Sequence, residues 1–166
     1  MIYKKIFFIV VIKLQSVIYL YYYIVSFNFE GVVMLTLKEA MKIIEAAEKK
    51  AGEINLKIST VIVDSYGVVI AVRKMDGAKI LSPKFAFAKA YTSATLGAPT
   101  SMIAKGALPG SPYYGTQALF GGELTILPGG IPIIEDNIVI GAVGVGGSND
   151  LQEDESCAQA AVAILK

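Results

Sequence analysis

The sequence predicts one α+β domain, in which a five-stranded, mostly antiparallel sheet carries flanking helices. Some segments place apolar residues at helical spacing, and others are short runs rich in Val and Ile. Two pairs of these runs are joined by turns too short for a crossover, so each pair forms an antiparallel hairpin. The 166 residues suffice for one hydrophobic core and hardly for two.

Each predicted element follows from a local pattern. Thr36 and Glu39 form a T-x-x-E capping box that begins the first helix, and Gly52 is placed to end it. The residues between Gly106 and Gly130 are rich in Gly and Pro, which indicates a long ordered loop, and loops of this length are commonly functional. The predicted helices cover residues 36–51, 83–96, 99–105 and 151–165. The predicted strands cover residues 57–63, 68–73, 123–127, 131–134 and 138–145.

Residues 1–33 differ from the domain predicted at residues 34–166. They hold nine of the 16 aromatic residues, and Lys4 and Lys5 precede an apolar run, as in a signal peptide or a membrane anchor. Because a well-formed helix start directly follows Met34, a mis-assigned gene start is a third interpretation. All three stay open at this point. We expect a cytoplasmic protein, with anchoring or export through this segment as the alternative and membrane contact only if it is a genuine anchor.

The composition excludes several kinds of site. The chain has no histidine, which removes the Ser-His-Asp and Cys-His forms of nucleophilic catalysis. One cysteine cannot supply an ordinary zinc site or an internal disulfide, so we predict no metal site. Arg73 is the only arginine, the formal net charge is +1, and no basic face suggests a nucleic-acid partner.

Three groups of residues could still carry chemistry. The glycine-rich run 141–147 could cradle a phosphate, but its spacing fits neither common phosphate motif, and close packing of a central strand is favoured. Glu45 and Glu48 lie three residues apart on a helix and could share a cation, although a solvated face is the favoured interpretation. Apart from Lys, Tyr and Cys, general acid–base chemistry could come from the acidic residues Asp64, Asp76, Asp154 and Glu155, of which the first two are more typical of turns.

Four residues are candidates for ligand binding. Arg73 and Lys89 could receive a carboxylate, and Lys89 has small neighbours that leave room for a ligand or for another subunit. Tyr113 and Tyr114 lie in the Gly- and Pro-rich loop, where they could stack on a flat ligand, coordinate iron or anchor the loop. The catalytic residues of an enzyme, if it is one, are not identified by these patterns.

Six motifs together resemble one known family. They occur in the family's order: VDSYG at 63–67, RKMDGA at 73–78, KAYT at 89–92, PGGIP at 128–132, GAVGVGG at 141–147, and DE at 154–155 followed by Ala158. On these residues the chain resembles the haem-binding GlcG/HbpS-like family, which is related to the C-terminal domain of PduO-type proteins. The resemblance covers residues 34–166 and leaves 1–33 unmatched.

The resemblance implies a profilin-like fold, assembly into a homo-oligomer, and binding of haem or another tetrapyrrole, with a carrier, sensor or accessory role. The missing histidine separates this chain from members that bind haem iron through His, so a protein ligand to iron would have to be Tyr, Met, Cys or a hydroxyl. Two alternatives remain: an interaction module, and an enzyme acting on a small organic acid or a cofactor through Asp, Glu and Lys.

Overall fold

The computed structural model describes residues 34–118 and 120–165. The predictions for residues 1–33 lie outside this range. The first helix, α1 (Leu37–Glu53), begins as its capping box predicts, because Thr36 Oγ1 accepts the Glu39 N–H at 3.2 Å and Glu39 Oε2 accepts the Thr36 N–H at 2.9 Å. Its buried stripe, which includes Ile43 and Ile44, faces the core.

The sheet has four antiparallel strands: β1 (Ser59–Asp64), β2 (Val69–Lys74), β3 (Gly130–Glu135) and β4 (Ile138–Gly146). Their order across the sheet is β2-β1-β4-β3, so the two predicted hairpins are confirmed. The hairpins are joined by the central pair β1–β4, in which Ser59 lies opposite Gly146 and Asp64 opposite Gly141.

The prediction of a fifth strand at residues 123–127 was wrong. Within the described residues this segment joins no sheet. The Thr125 N–H donates instead to Thr92 Oγ1 at 2.9 Å, and the Leu127 N–H donates to Thr125 Oγ1 at 3.2 Å. Hydroxyl groups therefore satisfy backbone donors that a strand would give to its neighbour. The likeness to profilin stays a prediction.

The domain has three further α-helices: α2 (Ser82–Leu96), α3 (Thr100–Gly106) and α4 (Leu151–Val162). Short 3-10 helices lie at Thr116–Ala118, Phe120–Gly122 and Ala163–Leu165. Helices α1 and α4 pack with Ile58, Ile62 and Val143 in one apolar cluster, and α2 packs its alanines against Val61 and Val63 in the other. Because side chains alternate across a strand, these clusters lie on opposite faces of the sheet. No helix in the described ranges is long and apolar enough to cross a bilayer.

The glycines of β4 let α2 approach the sheet closely. A Cβ atom at Gly144 would overlap the carbonyl oxygen of Ala86, and one at Gly146 would lie 2.8 Å from the carbonyl oxygen of Ser82. A side chain at either position would push the helix away from the strand. The interpretation of residues 141–147 as a closely packed central strand is therefore confirmed.

Candidate ligand-binding cavity

A cavity of about 710 Å³ lies where β4 ends and α4 begins. The start of α2 forms one wall, the segment between β4 and α4 forms another, and Leu127 contributes from the long loop. The lining residues are Lys79, Ile80, Leu81, Ser82, Phe85, Lys89, Leu127, Gly147, Ser148, Asn149, Leu151 and Asp154. Ligand sites commonly combine such an apolar lining with a few placed polar groups.

The apolar rim of the cavity is exposed. Ile80 is almost fully accessible to solvent, and Leu81 and Phe85 are about half exposed. These three residues lie in or just before the first turn of α2, and all three bring exposed apolar side chains to the cavity. A surface of this kind typically marks a contact with a ligand or another protein.

A buried ion pair forms the polar part of the cavity wall. Lys89 Nζ lies 2.7 Å from Asp154 Oδ2, and the two side chains are only 1% and 2% exposed. Lys89 Nζ also donates to the Val145 carbonyl oxygen at 2.8 Å, while Asp154 Oδ1 accepts the Ser148 N–H at 3.0 Å. Burial lowers the pKa of Lys89, and the negative charge of Asp154 opposes that change. The pair ties α2, the end of β4 and α4 together.

The motif Pro128-Gly129-Gly130 closes over this ion pair. Gly129 has φ +114°, and a Cβ atom there would lie 3.0 Å from Lys89 Nζ, from Asp154 Cβ and from the Val145 oxygen. A Cβ atom at Gly130 would overlap the Lys89 carbonyl oxygen. Glycine is required at both positions because the backbone passes directly beside the pair. The Gly130 N–H donates to the buried Thr100 Oγ1 at 2.9 Å, which attaches α3 to the same region.

The other polar side chains of the lining also have protein partners. Ser82 Oγ donates to the Lys79 carbonyl oxygen at 2.7 Å and lies 2.7 Å from Ser59 Oγ. Ser148 Oγ accepts the Asp150 N–H at 2.9 Å and donates to Glu153. The helix predicted over residues 83–96 begins at Ser82, and the Ser82 hydroxyl binds these partners and does not cap the helix.

Lys79 is the exposed cation of the cavity rim. Its Nζ donates to Asn149 Oδ1 at 2.5 Å, and within the described residues no carboxylate forms an ion pair with it. An ammonium group has three donors, so Lys79 keeps donors for an incoming anion. Lys89, by contrast, has its charge compensated by Asp154.

The structure does not bring the four predicted ligand-binding residues together. Only Lys89 lines the cavity. Arg73 Nε donates to Glu48 Oε1 at 3.0 Å, on the side of the sheet that α1 covers, and its guanidinium also lies 4.0 Å from Glu45. Tyr113 and Tyr114 are 64% and 63% exposed and do not belong to the lining.

The candidate acids have varied surroundings. Asp64 Oδ1 accepts the N–H groups of Tyr66 and Val68 at 2.8 and 2.9 Å, which confirms its turn role. Glu155 is buried beside the ion pair and accepts a hydrogen bond from Ser101 Oγ at 2.6 Å. Of the four acids, only Asp154 lines the cavity.

Sequence reasoning missed the residues of the rim. Ile80 and Leu81 stand in a segment interpreted as a connection between the first hairpin and α2. Two adjacent large apolar residues just before a helix start were the available signal. Their exposure could not be read from the sequence, because it depends on how α2 sits against the end of β4.

Comparison with known proteins identifies similar chains. The model of a family described as "Haem degrading protein HbpS-like" matches residues 35–163. An uncharacterised 15.0 kDa protein of Citrobacter freundii is 35% identical, over 80% of this chain and 93% of its own. Protein GlcG of Escherichia coli is 32% identical, over 68% of this chain and 81% of its own. The corrinoid adenosyltransferase PduO of Salmonella typhimurium is 26% identical over 80% of this chain, but the match spans only 39% of PduO.

Solved structures share the fold. Protein ORFY of Klebsiella pneumoniae has a TM-score of 0.76 at 34% identity, covering 82% of this chain and 94% of its own. The complex of PduOC with haem has a TM-score of 0.75 at 27% identity, covering 79% and 94%. A double mutant of HbpS from Streptomyces reticuli has a TM-score of 0.76 at 28% identity, covering 84% and 92%.

Proposed function

This chain belongs to the family of HbpS-like haem-degrading proteins, and on that premise we propose that it binds haem or a related tetrapyrrole in the cavity beside Lys89 and Asp154. The observation that carries the proposal is the cavity itself. Its volume of about 710 Å³ lies within the range of roughly 300–1,000 Å³ typical of small-molecule sites. The similarity to PduOC, solved as a complex with haem, supports the same ligand class.

The lining suits the periphery of a tetrapyrrole. The macrocycle is flat and apolar, and the exposed side chains of Ile80, Leu81 and Phe85 offer an apolar surface for it. The propionate groups carry negative charge, and Lys79 offers a cation at the rim. The sequence-based candidate Lys89 is less suited to a propionate, because Asp154 already compensates its charge.

We place the protein in a carrier, sensor or accessory role and expect a homo-oligomer in the cytoplasm. The interaction module is the second candidate, since the exposed apolar rim would equally suit a protein contact.

A haemin titration with matched variants tests the proposal. Leu81→Gln removes an apolar side chain from the cavity rim, directly before α2. Leu96→Gln removes an apolar side chain from the opposite end of α2, outside the cavity lining. Leu81 and Leu96 are 54% and 52% exposed, so the two changes should affect stability alike. We expect saturable binding with one haemin per subunit, followed by the Soret band, and weaker binding only for Leu81→Gln.

Two results would reject this assignment. Equal affinity of Leu81→Gln and Leu96→Gln would place the ligand outside the cavity. Absence of saturable binding by the unmodified protein would reject tetrapyrrole binding altogether and favour the interaction module.

A further inference from the structure

We propose that the cavity recognises the carboxylate edge and the apolar face of its ligand and not a metal at the centre, so that metal-free porphyrin binds as well as haemin does. This inference rests on the proposed function and adds to it what is recognised. It follows from the chemistry of the lining residues and from their hydrogen bonds.

The lining lacks the side chains that commonly hold haem iron. Proteins bind that iron through His, Cys, Met or Tyr. The chain has no His, and the cavity's described lining contains no Cys, Met or Tyr. Cys157 is buried in the core cluster on the α1 side of the sheet. Tyr113 and Tyr114 lie outside the lining.

The carboxylate and hydroxyl oxygens of Asp154, Ser82 and Ser148 in the lining are hydrogen-bonded within the protein. Asp154 uses one oxygen for Lys89 and the other for the Ser148 N–H. The hydroxyls of Ser82 and Ser148 each have two protein partners. Binding iron through any of these oxygens would compete with a buried or half-buried hydrogen bond of the protein, and carboxylate and hydroxyl oxygens are not among the common haem ligands. The haem iron therefore has no suited ligand among them.

The edge of a porphyrin, by contrast, meets a group with unused donors. Lys79 uses one donor for Asn149 and has no carboxylate partner within the described residues. Its position at the rim places the anionic edge of the ligand near solvent and leaves the apolar residues for the macrocycle. Such a site selects its ligand by the charge at the edge of the porphyrin and by the shape of its apolar face.

Three probes separate these contributions: haemin, metal-free protoporphyrin, and the dimethyl ester of protoporphyrin, whose propionates carry no charge. We measure Kd by the Soret band for haemin and by porphyrin fluorescence for the other two. Haemin and protoporphyrin should bind with Kd values within about threefold of each other, a difference of less than about 1 kcal/mol. The ester should bind about fivefold more weakly, the effect of one exposed ion pair.

The variant Lys79→Gln should weaken protoporphyrin binding about fivefold, as esterification of the propionates does. It should leave binding of the ester unchanged, because the ester has no charged propionate to pair with Lys79. Lys84→Gln is the matched control, since Lys84 is an exposed lysine of α2 outside the lining. It should leave all three affinities unchanged.

The outcomes distinguish this inference from the proposed function. Haemin binding more than about tenfold tighter than protoporphyrin binding would overturn the inference and leave the proposed function standing. Equal changes of the protoporphyrin Kd in Lys79→Gln and Lys84→Gln would overturn the proposal that Lys79 recognises the carboxylate edge of the ligand. If none of the three probes binds, the proposed function itself fails.

Discussion

Removing the cation of the buried ion pair should destabilise the domain strongly. Lys89→Met preserves most of the side-chain length but leaves Asp154 charged, 2% exposed, and paired only with the Ser148 N–H. Breaking a buried pair by removing one partner costs about 3–5 kcal/mol, because the remaining charge is uncompensated. The same range applies to Asp154→Asn, which leaves Lys89 charged and buried.

The double variant Lys89→Met/Asp154→Asn should lose much less. It buries no charge, and the amide oxygen introduced by Asp154→Asn can still accept the Ser148 N–H. The losses are the Lys89 partner of the Val145 carbonyl oxygen and a partner for the new amide N–H₂ group. An unsatisfied buried acceptor costs about 1–3 kcal/mol. We therefore expect the double variant to be more stable than either single variant, although it carries both changes.

Urea unfolding at pH 7 measures these free energies. The m-values should be equal across the four proteins if the native and unfolded states keep their exposed surface. A double variant whose loss equals the sum of the two single losses would show that the two side chains do not interact, and it would refute our account of the pair. If a single variant does not fold, a folded double variant still supports the coupling.

Four further predictions follow from other features. Gly144→Ala should lower the free energy of unfolding by about 1–3 kcal/mol. A Cβ atom at Gly52 would meet no atom within 4 Å, so Gly52→Ala should raise the free energy of unfolding by about 0.5–1 kcal/mol. Equal melting temperatures of the two variants would contradict the close contact of α2 with β4. Burial raises the pKa of the Cys157 thiol to about 11 from 9.0, so an alkylating reagent should label it at pH 8 only on unfolding. As the pH rises, the thiol ionises at a lower pH in the unfolded chain than in the folded one, so its contribution to stability is present below pH 9 and falls as the pH rises to 11. Rapid labelling of the native protein would refute the burial of Cys157. A chain beginning at Met34 should keep its melting temperature, and aggregation would show that residues 1–33 belong to the fold. Light scattering at micromolar concentration should give the mass of a closed homo-oligomer, and a monomer mass would reject assembly.

Local patterns predicted most of the secondary structure. The capping box at Thr36 and Glu39 and the two hairpins depend on contacts within a few residues, and the structure confirms them. The segment at 123–127 failed because its β-branched and apolar residues are also those of an extended loop. The loop conformation depends on Thr92, a residue distant in sequence, whose hydroxyl group accepts the Thr125 N–H.

The site was less predictable than the fold. Lys89 was identified among its small neighbours, but its partner Asp154 was noted only as one of several acids, because pairing between α2 and α4 depends on tertiary packing. Arg73, the single arginine, was predicted to bind a ligand carboxylate, but in the structure its charge is paired with Glu48 and Glu45. Lys79 had no distinguishing sequence signal, since nothing in the order of residues shows which lysine lacks a carboxylate neighbour.

The strand order has a consequence for how the chain folds. Each hairpin is local, but the central pair joins β1 near the beginning of the domain to β4 near its end. Closing so long a loop costs entropy before the pairing contributes, which slows folding. During synthesis, β1 and α2 emerge long before the strand that lies between β1 and β3. Until β4 and α4 have left the ribosome, Lys89 has no Asp154 to pair with, and the apolar residues of β1 stay accessible to chaperones.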